Sequence, residues 1–248
     1  MLDNKTIDIL NRLKLFGMAS SLTERLANAA HHGLSHSDFV ALLVQDEQTY
    51  RENKRLKRFL ANAKFKLQAA IEDIDFRHPR GLPKQTILEL ATPHWIDASR
   101  NVILSGPTGV GKSFIACALG NNAARSGYPV LYFRAPRLFE LLFQARADGS
   151  HLKTFAKLAK AKLLIIDDFL LAPLNDRERR DFLEIIEDRY AAGSTVITSQ
   201  CPPQDWHINI GDPTIADAIC DRLFHNASKI NLKGDSFRKK LAASGTQI

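Results

Sequence analysis

Cysteine is scarce in this chain of 248 residues: Cys117, Cys201 and Cys220 are odd in number, far apart and without Cys-x-x-Cys spacing. That argues against a disulfide framework or a zinc ribbon, and the three thiols are expected as small core residues. Long apolar runs are missing too. None approaches the roughly 20 residues needed to cross a bilayer, and Met1-Leu2-Asp3-Asn4-Lys5 lacks the basic-then-apolar order of a signal peptide. The expected address is therefore cytoplasmic, with no membrane partner. Glycine (13) and proline (10) are too few for a collagen-like or mucin-like chain, and 45% hydrophobic residues are too many for a fully disordered one. Acidic residues are the minority charge, 27 against 34 Lys plus Arg, and the net +7 favours a polyanionic partner.

What is present divides near residue 66. Residues 1–66 carry apolar positions at helical spacing (Ile9, Leu13 and Phe16; Leu22, Leu26 and Ala29; Phe39, Leu42 and Leu43), so a small all-helical domain is expected. Ser21 with Glu24, and Ser37 before Phe39, read as helix starts, while Gly17 and the stretch 31–35 read as breaks. Between Arg51 and Lys66 lie seven cations (Arg51, Lys54, Arg55, Lys57, Arg58, Lys64, Lys66) and one acid, Glu52, around an apolar stripe of Leu56, Phe59 and Leu60. Such a basic amphipathic helix is either a solvated face or a phosphate-binding one. The local imbalance favours phosphate, with Lys54, Arg55 and Arg58 as the DNA-contacting candidates, and charge reversal there should weaken binding.

A different rhythm begins near Ile71. Short apolar runs at 101–105, 130–133, 163–166 and 196–198, with a fifth at 228–232, alternate with helical stretches, the pattern of βα units on a doubly wound parallel sheet. Residues 67–248 are expected as this α/β domain, with 76–83 as the linker to it.

Gly106-Pro107-Thr108-Gly109-Val110-Gly111-Lys112-Ser113 follows the first strand and opens a helix, a full match to the P-loop (Walker A) pattern. Its amides and the helix N-terminus make an anion nest for a triphosphate; Lys112 is expected on the β and γ phosphates and Ser113 on Mg2+. An apolar strand ending in Asp167-Asp168 (Walker B) supplies the Mg2+ carboxylate, Asp167, and a second acid positioned to orient water. Asp168 stands where hydrolysing P-loop proteins usually carry Glu, and the missing methylene predicts slow turnover. Gln200 ends the next apolar run and reads either as a strand-end polar residue facing solvent or, as the motif order favours, as a group that bonds the γ phosphate or the attacking water. Arg222, in a helical stretch over 214–225, reads either as a surface arginine or as a finger completing a neighbour's site.

Taken in order, these motifs resemble an AAA+ ATPase. More closely, STVITSQCPPQDWH (194–207), GDPTIADAICDRLFHNASKINLKGDSFRK (211–239), LKLFGMASSLTERLANAA (13–30) and RENKRLKRFLANAKF (51–65) resemble the IstB-like transposition helper ATPases, relatives of the DnaC helicase loaders. The resemblance implies a helper that binds ATP and Mg2+, assembles as a homo-oligomer on duplex DNA and presents it to a cognate transposase. It also makes Arg222 the trans-acting finger and Gln200 the sensor-one residue, and it puts the helix over 136–146 near DNA. Gln200 in place of Asn, Asp168 in place of Glu and a short tail after Arg222 depart from the general AAA+ pattern, and Arg238 stays unassigned. A DnaC-like loader gripping a helicase and single-stranded DNA is the alternative. A small-molecule P-loop kinase is disfavoured by the absence of a clear basic lid in the sequence. His31, His32 and His36 read as loop histidines rather than metal ligands, Trp206 and His207 as packing and turn residues, and Asn175 with Glu178 as a helix cap.

Overall fold

A computed structural model of the chain describes residues 2–27 and 34–236. Ala29, His31, His32 and Arg238 lie outside them. The chain forms two compact units, Met1–Arg58 and Phe59–Ile248.

In the first unit, α1 (Leu2–Arg12) and α2 (Phe16–Ala27) are followed by α3 (His36–Ala63), whose last turn belongs to the second unit. Gly17, expected as a break, lies inside α2, and its value is contact rather than flexibility. A Cβ there would stand 2.6 Å from Tyr50 Cβ and 2.8 Å from Glu47 Cα, so only glycine lets the two helices approach this closely. The Gly17 and Met18 amides donate to the buried Glu47 carboxylate at 2.7 and 3.1 Å. Ser21 is likewise no helix start. It sits within α2 and donates to Asp46, which also accepts from Arg25. At the head of α3 the cap is Ser35, not Ser37, since the Asp38 amide donates to Ser35 Oγ at 3.1 Å. His36 is the exposed first residue of that helix.

The expected division at 66 falls inside the second unit, because Phe59, Ala63 and Ala69 are core residues there. Five strands, β1 (Asn101–Ser105), β2 (Val130–Arg134), β3 (Leu163–Phe169), β4 (Ser194–Ser199) and β5 (Ala227–Asn231), form one parallel sheet in the order β2-β3-β4-β1-β5. Side chains alternate across it with period two. Val102, Leu104, Leu163 and Ile165 face one core with Ile115 and Leu119 of α6 (Lys112–Arg125). On the other side, Ile103, Leu164 and Ile166 meet α7 (Ala135–Ala147), α8 (His151–Lys160), α9 (Asp176–Arg189) and α11 (Pro213–Phe224). Burial on both faces is why these strands read as continuous apolar runs. Two short helices, α4 (Lys84–Ala91) and α5 (His94–Asp97), precede β1, and α10 (Trp206–Ile210) precedes α11. No helix among the described residues is long and apolar enough to cross a membrane.

The segment 76–83 is not a linker. Arg80 within it is 3% exposed, and its guanidinium donates to Val110 O (3.0 Å) and Asp75 O (3.1 Å). Asn175 caps α9 as expected, accepting from the Arg177 and Glu178 amides while Glu178 reaches back to the Asn175 amide. Trp206 is fully buried between Phe169 and Phe224 and donates to Cys201 O, a packing residue. Its neighbour His207 pairs with Asp217 on the surface. Cys117 and Cys220 are buried and Cys201 half-buried, all free thiols; burial raises the Cys117 and Cys220 thiols to about 11, so they stay protonated and unreactive.

Candidate functional site

In open α/β sheets the binding crevice lies beyond the carboxyl ends of the strands, where neighbouring connections diverge. Here β1 sits between β4 and β5, and its chain leaves through α6 for the distant strand β2. The loop 106–113 occupies that point. Gly111 has φ 97°, a left-handed conformation in which a side chain would also meet the Arg80 guanidinium. Gly106 N–H donates to Ser199 O (3.2 Å), while the first-turn amides of α6 have no partner within their own helix and suit phosphate oxygens. Lys112 is 7% exposed, and its ammonium donates to Gly106 O and Pro107 O, both at 2.7 Å. Burial pushes its pKa below the ordinary value, with Asp168 and Asp167 opposing that shift.

Asp167, at the end of β3, is fully buried and its carboxylate is held from several sides. Oδ1 accepts from Ser113 Oγ (2.7 Å) and Thr198 Oγ1 (2.6 Å), and Oδ2 accepts from the Tyr132 hydroxyl (2.5 Å). Burial and the adjacent carboxylate raise the Tyr132 phenol, keeping it a donor. A Ser hydroxyl that gives its proton to a fixed carboxylate keeps oxygen lone pairs to offer a hard cation, so Ser113 and Asp167 fit Mg2+ by donor chemistry.

Asp168 differs from its neighbour. The β3–β4 register shifts between Ile166 and Phe169, and Asp168 sits in this irregularity at φ 59°. Its amide donates to Thr198 Oγ1 (3.0 Å) and its carboxylate accepts from Arg134 Nε (3.0 Å). Lys66 also approaches, 3.7 Å from Asp167 Oδ2 and 3.8 Å from Asp168 Oδ2. At the end of β4, Gln200 Oε1 accepts from the hydroxyl of Thr108 (2.6 Å), which fixes the strand end beside the loop. The structure thus brings together Gly106, Pro107, Thr108, Gly109, Val110, Gly111, Lys112, Ser113, Asp167, Asp168 and Gln200.

Arg222 is not among them. It lies on α11, donating to Ala218 O (2.9 Å) and pairing with Glu187 (3.1 Å), and its carbonyl lies near Asn101 at the amino end of β1. A five-residue strand, about 15 Å, separates that end from the loop that follows Ser105. Lys54, Arg55 and Arg58 are exposed on α3 in the first unit, with the Lys54 ammonium over the Phe16 ring at 5.2 Å.

Sequence reasoning did not single out Lys66, Arg80, Tyr132, Arg134 or Thr198 for the site. Thr198 offered a signal, a hydroxyl within a strand otherwise apolar enough to be buried; the other four carried none that local pattern reveals.

A family model described as IstB-like ATP binding protein matches residues 8–244. A Sinorhizobium fredii protein bearing the name of an insertion sequence ATP-binding protein is 47% identical over 96% of this chain and 98% of its own length. A protein of Pseudomonas fluorescens, named as an ATP-binding protein of insertion sequence IS1162, is 45% identical over 82% of this chain and 88% of its own. Among solved structures, the DnaC helicase loader superposes with TM-score 0.54 at 17% identity over 66% of this chain and 97% of its own, and DnaI with 0.57 at 21% over 68% and 90%. These two likenesses concern the P-loop α/β fold. The nucleotide loop, its buried carboxylate and a match along nearly the whole sequence make this chain a member of the IstB-like ATP binding protein family.

Proposed function

We propose that this protein is an ATP-dependent DNA-binding helper of transposition, which assembles on duplex target DNA, delivers it to a partner transposase and uses ATP hydrolysis as its switch. The observation that carries the reading is the division of the machinery: the phosphate nest, Asp167, Asp168 and Gln200 share one end of the sheet, whereas Arg222 stands at the other. A cation there is out of reach of its own chain's phosphates and suited to those of an adjacent copy. ATP bound between copies then stabilises the assembled state over the free one, the condition for any ligand to shift an equilibrium.

Lys112 and the loop amides hold the phosphates, with the Lys112 ammonium exchanging carbonyl partners for phosphate oxygens. Ser113 and Asp167 would hold Mg2+, which supplies charge neutralisation for the β and γ oxygens when bound. Asp168 orients the attacking water, Gln200 steadies the loop and γ-phosphate side, and Arg222 stabilises charge on the neighbour's γ phosphate. The short arm of Asp168 and its pairing with Arg134 support slow turnover, well below tens per second. Lys54, Arg55 and Arg58 on α3 contact DNA phosphates, an affinity that should fall steeply with salt. The names of the family's relatives support the insertion-sequence setting.

Sedimentation with duplex DNA, with and without ATP, tests this on the parent chain, Lys112→Ala and Arg222→Ala. Large complexes are expected only with ATP and in neither variant. A chain that stays monomeric and ignores duplex DNA refutes the reading and directs attention to single-stranded DNA with a helicase.

A further inference from the structure

Lys66 closes the basic run 51–66, yet its ammonium faces the two acids of β3 rather than solvent alone. At 3.7 and 3.8 Å from Asp167 Oδ2 and Asp168 Oδ2 it stands between them, beyond hydrogen-bond length but within ion-pair range. Arg134 pairs with Asp168 alone, the hydroxyls on Asp167 are neutral and Lys112 acts on both acids while bonded to loop carbonyls, so among the described residues Lys66 is the cation in ion-pair range of both carboxylates. Its side chain is 33% exposed, which leaves it room to swing outward.

We propose that Lys66 is a built-in counter-cation of the Asp167–Asp168 pair, competing with the divalent ion of the ATP complex and thereby setting the metal concentration the site requires. This rests on the ATP and Mg2+ reading above. The physical argument is charge balance. Two adjacent carboxylates in a partly buried site repel one another, and an ammonium between them, added to Lys112 and Arg134, relieves that repulsion without metal. A divalent ion arriving beside Asp167 meets the ammonium as a like charge, so the lysine has to withdraw and the metal loses part of its gain. A neutral side chain at this position removes that cost, while an arginine retains it.

The test is the free Mg2+ concentration giving half-maximal binding of a fluorescent ATP analogue, read by fluorescence without turnover, for the parent chain, Lys66→Gln and Lys66→Arg. The expected result is a midpoint lowered roughly threefold in Lys66→Gln, the scale of a part-exposed ion pair, and restored toward the parent value in Lys66→Arg. An unchanged midpoint in Lys66→Gln overturns the proposal, and so does a raised one, which would make Lys66 an aid to the phosphates. Failure of the underlying ATP reading looks different: the parent chain would not bind the analogue, or Lys112→Ala would bind it equally well. Matching circular dichroism melts establish that the variants fold.

Discussion

Arg80 lies in a stretch whose prolines and glycine suggest a tether, and its side chain instead grips the nucleotide loop. In a trans peptide the C=O and N–H point in opposite directions. Holding Val110 O from outside therefore aims the Gly111 amide toward the concave, phosphate-binding side. Replacing Arg80 removes two charge-assisted bonds, at 3.0 and 3.1 Å, and leaves Val110 O without that donor. Such bonds are worth about 1.5–3 kcal/mol each. Part of that is offset because burial already disfavours the guanidinium charge and pushes its pKa below the ordinary value, with Asp75 opposing. A net loss of about 2 kcal/mol, borne mainly by the loop, is roughly a thirtyfold loss of nucleotide affinity. Arg80→Met is the decisive variant, since it keeps an apolar stem and removes the guanidinium with its donors and charge, whereas Arg80→Ala also empties the place of the stem. Titration with a fluorescent ATP analogue reads affinity, and urea melts read stability. If Arg80→Met binds within about twofold of the parent chain, the loop does not depend on this grip and the argument from peptide geometry fails.

Other outcomes follow from the first unit. Gly17→Ala gains helix propensity of about 1 kcal/mol but drives a methyl group into the Tyr50 and Glu47 backbone region, an overpacking cost of about 1–3 kcal/mol, so a lower urea midpoint is expected and a higher one would contradict the contact. Asp46 is held below its ordinary 3.8 by hydrogen bonds from Ser21 and Arg25, which outweigh burial. Burial raises Glu47, but Arg51, Met18 and Gly17 together hold it below its ordinary 4.5. Depressed carboxyls stabilise fully above those ordinary values, and the contribution disappears as pH falls through the lower folded ones. Helical circular dichroism during acid titration should therefore show loss beginning below about pH 4.5 and a shallower acid limb in Glu47→Gln; an identical limb in that variant would remove Glu47 from the account.

The legible parts of this protein are those written in contiguous residues. The loop 106–113 announces its glycines, lysine and serine in one octet, and the strands appear as short apolar runs because both sheet faces are covered. Asn175 with Glu178 reads correctly because a capping box is satisfied within four residues. What escaped pattern reading depends on partners distant along the chain. Gly17 looks like a breaker until the helix bearing Glu47 and Tyr50 is laid beside it. Arg80 looks like part of a tether until Val110 lies within reach, and Lys66 looks like one more charge on a basic helix until the β3 acids face it. Arg222 was legible as a charged helix residue, but only the sheet shows which end of the domain it occupies.

The irregularity at the end of β3 has a consequence for the choice of acid there. At φ 59° the Cβ of any side chain crowds the following carbonyl, and aspartate is among the few non-glycine residues enriched in that conformation. Exchanging Asp168 for glutamate would lengthen the reach toward water and at the same time give up the preference of aspartate for this backbone conformation. The length of the carboxylate arm and the torsion of the strand beneath it are thus coupled choices in this sheet.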